Sequence, residues 1–218
     1  MPNNYQQKLT STNYMTKTLM VVILLLFSTI SLCLGQPSPD PVYDFDENLL
    51  QAGTEYYVLP QGMGGGLTLA ARGNESCPLD VVQTNVDTDN GLPLAFIPVD
   101  LNTGDYVIWE STDLNIIFSG SSSTACADQS NVWMLDLYDR QLIITGNGVQ
   151  GNPGLVTLNN WFKITKYEDG YKLAFCPEVC DHCASVCGDI GVVIAQNETR
   201  RLGISDVPLK VKFKKALI

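Results

Sequence analysis

The sequence predicts an all-β, disulfide-bridged domain, and three observations carry that prediction. Beyond residue 41, no apolar pattern of helical period lasts for the length of an ordinary helix. Apolar residues come instead in short runs divided by Gly, Asn, Asp and Pro, which is the mark of strands and turns. Of seven cysteines, Cys33 lies in an apolar leader and the other six follow it, an even set suited to an oxidising compartment.

Along the chain, the leader comes first. Residues 1–17 are polar and hold Lys8 and Lys17 without an acid. An apolar run from Leu19 to Phe27 continues to Leu34, and Cys33-Leu34-Gly35 supplies small residues where a signal peptidase reads. The expectation is a cleaved secretory signal over 1–35, with Met15 as an alternative start and an uncleaved anchor helix as the rival reading. The apolar run is at the short end for a bilayer span, for which about 20 residues are usual. The mature domain is then 36–218, free of the membrane after cleavage. The apoplast is its expected destination and the vacuole the alternative. Gln36-Pro37-Ser38-Pro39-Asp40-Pro41 reads as an extended lead-in, since proline lacks the N–H of a ladder.

Twelve candidate strands follow, at 56–59, 67–70, 81–83, 106–109, 115–118, 133–136, 141–145, 161–165, 172–175, 191–195, 202–205 and 211–213. A weak threefold echo runs through them. A tyrosine opens Tyr56-Tyr57-Val58-Leu59, Tyr106-Val107-Ile108-Trp109 and Tyr171-Lys172-Leu173-Ala174-Phe175, and a second apolar strand follows each. Three units of four strands suggest a β-trefoil. The echo by itself leaves a jelly roll open.

Charge and cysteines narrow the function. Acids outnumber bases 23 to 13, and losing the leader removes two lysines more. A nucleic-acid binder carries the opposite balance, because it must neutralise phosphates. Solubility is the simpler reading of the acidity. Six cysteines allow 15 pairings. Spacing favours Cys77 with Cys126, both distant from the rest. Cys176, Cys180, Cys183 and Cys187 form C-x3-C-x2-C-x3-C, which nests as Cys176–Cys187 around Cys180–Cys183. A zinc site including His182 is the rival, disfavoured by secretion.

Several segments now form a recognisable set: Val42-Tyr43-Asp44 through Leu50, Tyr56-Tyr57-Val58, Cys77-Pro78-Leu79, Val81-Val82-Gln83, Ser111-Thr112-Asp113-Leu114-Asn115-Ile116, Gly151-Asn152-Pro153-Gly154, Trp161-Phe162-Lys163-Ile164, Tyr171 to Pro177, Cys187-Gly188-Asp189-Ile190-Gly191 and Arg200-Arg201-Leu202. Over about residues 42–215 the chain resembles the plant Kunitz-type (soybean trypsin inhibitor) family, and its cysteine pattern is most similar to the miraculin-like branch. The resemblance implies a β-trefoil of about twelve strands and the disulfides Cys77–Cys126, Cys176–Cys187 and Cys180–Cys183. It also implies a protease as partner, gripped by an exposed loop between the fourth and fifth strands. Here that loop is about residues 96–105, with Pro98, Val99, Asp100, Leu101 and Asn102 as reactive residues and Asp100 nearest the scissile position.

A trypsin-like pocket holds a buried Asp and needs Lys or Arg; it repels an acidic guest. No Lys or Arg lies between Arg72 and Arg140, so strong trypsin inhibition is not expected. Val99 or Leu101 suits an apolar-pocket enzyme of chymotrypsin or elastase type, and a cysteine protease could be met through another surface. The family's loop-supporting Asn aligns with Ala52, so that brace is missing, and Glu47 replaces a Gly of the signature. The alternative is a non-inhibitory defence, storage or ligand-binding protein.

Other chemistries find little support. His182 is the sole histidine and sits between cysteines, and no G-x-S-x-G occurs, so no enzyme is expected. No cofactor or metal is expected; Asp87-Thr88-Asp89-Asn90-Gly91 lacks the Glu of a calcium loop and reads as a hairpin turn. Trefoil-lectin Gln-x-Trp repeats are absent. Asn74-Glu75-Ser76 and Asn197-Glu198-Thr199 are glycosylation acceptors. Lys210, Lys212, Lys214 and Lys215, alternating in part with Val211 and Phe213, suggest an edge strand. The molecule is expected to act as a monomer.

Overall fold

The computed structural model describes residues 17–23, 38–73, 75–100, 104, 106–119, 126, 129–195 and 198–217. The chain divides into two units, Met1–Ser38 and Pro39–Ile218. In the first, residues 17–23 are helical, and no described helix is long and apolar enough to cross a membrane.

The second unit carries twelve described strands: β1 (Tyr56–Pro60), β2 (Leu67–Arg72), β3 (Glu75–Gln83), β4 (Leu94–Pro98), β5 (Leu114–Phe118), β6 (Met134–Tyr138), β7 (Gln141–Thr145), β8 (Lys163–Tyr167), β9 (Gly170–Phe175), β10 (Gly188–Ile194), β11 (Arg200–Ile204) and β12 (Val211–Lys215). Antiparallel pairing joins β1 to β4, β4 to β5, β8 to β9, β9 to β12 and β12 to β1. Leu114 and Phe162 exchange two backbone bonds of 2.9 Å and close the remaining gap between β5 and β8. The result is a ring without edges, which removes the hazard of unpaired strand edges. The hairpins β2–β3, β6–β7 and β10–β11 form a cap, in which β3, β7 and β11 touch one another. Each group of four strands repeats this plan, and the fold is a β-trefoil.

Alternation fills the barrel. Tyr56 and Val58 of β1, Leu94 and Phe96 of β4, Ile116 and Phe118 of β5, and Val211 and Phe213 of β12 all point inward and are buried. The rings interlock edge to face: Phe96 with Phe213 at 5.3 Å, Trp133 with Phe162 at 5.9 Å, Phe162 with Phe175 at 5.7 Å. Each such side chain contributes roughly 1.5–3 kcal/mol by leaving water.

A buried charge cluster pins the cap. Asp80 of β3 is fully buried and meets Arg72 at 2.8 Å and Arg201 of β11 at 2.9 Å, while Arg72 also reaches Asp136 of β6 at 3.1 Å and lies 4.5 Å over the Tyr138 ring. Burial pushes the Asp80 carboxyl up, and the two guanidinium groups pull it back. Strands from all three repeats meet in this cluster.

Four expectations need correction. Residues 106–109 are not a strand: Val107 and Trp109 form isolated bridges, to Gln51 and Pro41, outside any ladder, so the second repeat starts at β5 instead. Residues 94–98 are a strand and were not expected to be one; Pro98 is tolerated because it is the last residue of β4. Residues 87–91 do not close a hairpin, since β3 and β4 are not partners. Asp87 instead accepts the Gly64 N–H at 2.7 Å, and Asp89 accepts that of Gly91 at 2.9 Å. Last, β12 is no edge: it is paired on both sides, and its lysines alternate onto the outer face of a closed barrel.

Candidate functional site

The connection from β4 to β5, residues 99–113, is held at both limbs. On the first limb, the Val99 N–H donates to the Asp113 carbonyl at 2.9 Å, extending the β4–β5 ladder by one rung. On the second, residues 40–52 lie against 106–110. Ala52 N donates to Tyr106 O at 2.7 Å, Ile108 N to Leu50 O at 2.9 Å, Val42 N to Ile108 O at 2.9 Å and Glu110 N to Asp40 O at 2.8 Å. Ser111, at φ 59°, turns the chain back, its N–H donating to Ile164 O at 2.8 Å.

Between these limbs, Val99, Asp100, Gly104 and Tyr106 are exposed. Phe96, expected within the loop, is in the core, and Pro98 is the last residue of β4. Leu101 and Asn102 lie outside the described residues, as do Asn74 and Asn197. The Ala52 methyl packs toward the core and offers no hydrogen bond, so the loop receives nothing from this side chain.

Asp113 anchors the base. It is buried; one oxygen accepts the Glu178 N–H at 2.9 Å and the other lies 3.9 Å from the Lys163 ammonium, which pairs with Glu178 at 2.9 Å. Burial holds the Asp113 carboxyl above its ordinary range, against the pull of the Glu178 N–H and Lys163. Glu178 belongs to the segment closed by Cys176–Cys187, which brackets the rung between Phe175 and Gly188, and by Cys180–Cys183 within it. Cys77–Cys126 ties β3 to the connection between β5 and β6.

Elsewhere a cleft of 460 Å³ opens beside Tyr43 and Tyr171. Its lysines are engaged, Lys212 with Asp169 at 3.9 Å and Lys166 over the Tyr171 ring at 4.6 Å. Among the described residues no group of acids, histidines and cysteines could hold a metal ion.

The model of the Kunitz legume family, described as trypsin and protease inhibitor, matches residues 42–215. The chain belongs to this family. Kunitz trypsin inhibitor 5 of Arabidopsis thaliana is 44% identical over 182 residues, covering 81% of this chain and 86% of that protein. Miraculin of Synsepalum dulcificum is 44% identical over 190 residues, covering 83% and 85%. The structure of a Kunitz-type cysteine protease inhibitor from potato superimposes with a TM-score of 0.70 at 30% identity, covering 83% of this chain and 99% of the potato protein. The miraculin-like placing within the Kunitz family is thus established. The relatives' names cover inhibitors of two protease classes and a protein not named for inhibition, so membership fixes the scaffold and not its use.

Sequence reasoning missed two features. The Arg72–Asp80–Arg201 cluster was hidden because Arg201 is distant in sequence from the other two and nothing local marks Asp80 as buried; only two arginines beside apolar strand residues hinted at it. The base of the loop at Asp113 was visible as part of a family motif but not as an anchor.

Proposed function

We propose that this Kunitz chain is a secreted protease inhibitor whose connection after β4 engages an apolar-pocket serine protease in the manner of a substrate. The observation that carries this reading is the bonded base of the β4–β5 connection, the Val99–Asp113 rung on one limb and the bonds of residues 106–111 on the other. Exposed residues at Val99 and Asp100 stand on a bonded base, so part of the ordering cost of binding is met before the partner arrives. Val99 and Leu101, on either side of Asp100, are the side chains for an apolar pocket. Asp100 opposes the buried acid of a trypsin-like pocket.

Export follows from the leader: residues 1–35 are removed, the mature chain 36–218 reaches the apoplast or vacuole, and Asn74 and Asn197 are its glycosylation acceptors. The protein works by binding and performs no catalysis.

The test is a titration of trypsin, chymotrypsin, elastase and subtilisin with the purified mature protein. Inhibition of at least one apolar-pocket enzyme, with trypsin the weakest, is expected; trypsin inhibited most tightly would overturn the loop assignment. One observation favours a second reading, a Kunitz binding or storage protein that does not inhibit: Ala52 stands where the family's loop brace is expected. No inhibition across the panel would select it.

A further inference from the structure

We propose that the connection from β7 to β8, residues 146–162, is a second protein-docking element, and that it wedges into the apolar cleft of a papain-class cysteine protease. Three observations converge on it. First, no ionisable residue lies between Arg140 and Lys163, although the chain as a whole carries a net charge of −10. Second, this uncharged stretch ends in an apolar tip. Val149, Leu155 and Val156 are 53%, 71% and 98% exposed, and Val156 touches almost nothing of its own molecule.

Third, the tip is braced from beneath. Asn115 of β5 is fully buried, yet its amide reaches this connection with both of its ends: the oxygen accepts the Gly151 N–H at 2.7 Å and the nitrogen donates to Asn160 O at 2.8 Å. Asn160 in turn donates to Val149 O at 3.1 Å, Thr157 donates its hydroxyl to Asn152 O at 2.6 Å, and Trp161 donates its indole N–H to the Thr157 hydroxyl at 3.2 Å. A surface segment with this many side-chain struts is already ordered, so docking costs it little entropy.

The backbone selects the mode of binding. Gly151 and Asn152 have φ of 73° and 53°, and a 3-10 turn, Leu155–Asn160, follows. Such a chain cannot lie in a protease cleft as an extended substrate, so it acts through its side chains and presents no bond for cleavage. A receiving cleft must be concave, apolar where Leu155 and Val156 enter, and free of any need for a countercharge. The buried acid of a trypsin-like pocket fails that requirement, and the apolar specificity subsite of a papain-class enzyme meets it.

The test is the steady-state inhibition of papain by the intact protein, by the double variant Leu155→Ser/Val156→Ser, and by Asp100→Ala. Both substitutions of the double variant are at exposed positions, and an unchanged thermal midpoint certifies its fold. The wild-type protein is expected to inhibit at micromolar concentration or below. The double variant should be weaker by about tenfold or more, since apolar anchors dominate such interfaces, and Asp100→Ala should change inhibition by less than about twofold. Papain unaffected by the wild-type protein, or inhibited equally by the double variant, would overturn the proposal. So would loss of inhibition in Asp100→Ala. The serine-protease titration bears only on the 99–113 loop, so the two readings fail separately.

Discussion

Asp113 holds three segments together: its carbonyl takes the Val99 N–H, and its carboxylate takes the Glu178 N–H and faces Lys163. Burial raises its folded pKa above the unfolded value near 3.8. The folded state therefore takes up the proton first, and this residue's contribution to stability increases as pH falls through the raised value and levels off below the unfolded one. The thermal midpoint of wild type minus that of Asp113→Asn, followed by circular dichroism, is expected to grow from pH 7 to pH 4; a difference that shrinks would refute the assignment. Glu47 sits at φ 62°, a backbone region that favours glycine. Glu47→Gly is expected to stabilise by about 1 kcal/mol in urea titration, because relief of strain outweighs the added freedom of the unfolded chain. At Asp100, the sign of the charge is what separates this loop from trypsin. Asp100→Arg should tighten trypsin inhibition by about tenfold or more.

Among the elements, β4 teaches most about what a sequence exposes. Its run Leu94-Ala95-Phe96-Ile97 is bounded by Pro93 and Pro98, and prolines mark turns as readily as strand ends, so the strand was lost inside an expected loop. Only the pairing with β5 reveals that Pro98 is the last residue of the strand, paired with Leu114. Phe96 is then a core residue, and Phe96→Ala is expected to cost about 3–5 kcal/mol by chemical denaturation; a cost under about 1 kcal/mol would put the ring outside the core. Residues 106–109 erred the other way. Their Tyr-Val-Ile-Trp pattern has high strand propensity, but single bridges to the 40–52 segment hold them instead. For β12, alternation of lysine with apolar residues is common to edge strands and to the walls of a closed barrel. Only closure, which is a tertiary event, tells them apart.

For the whole molecule, the trefoil was legible through many weak motifs spread over the chain, several of them anchored by turn residues or cysteines. What holds the three repeats in register was not. Asp80 and its arginines come from β2, β3 and β11, and no local pattern announces a charge that will be buried between them. Asp80→Ala leaves two buried guanidinium groups without their shared partner, and a loss of about 3–5 kcal/mol is expected in chemical denaturation. The scaffold closed by this cluster and the barrel presents residues 99–113 from a fixed base, and the central claim is that an enzyme grips this loop as it would a substrate. The direct measurement is mass-spectrometric mapping of the chain after prolonged incubation with chymotrypsin, elastase or subtilisin under conditions that keep it folded. A single slow cut within residues 98–102, leaving the rest intact, is the expected result; cuts elsewhere in the folded domain, with 98–102 untouched, would contradict it.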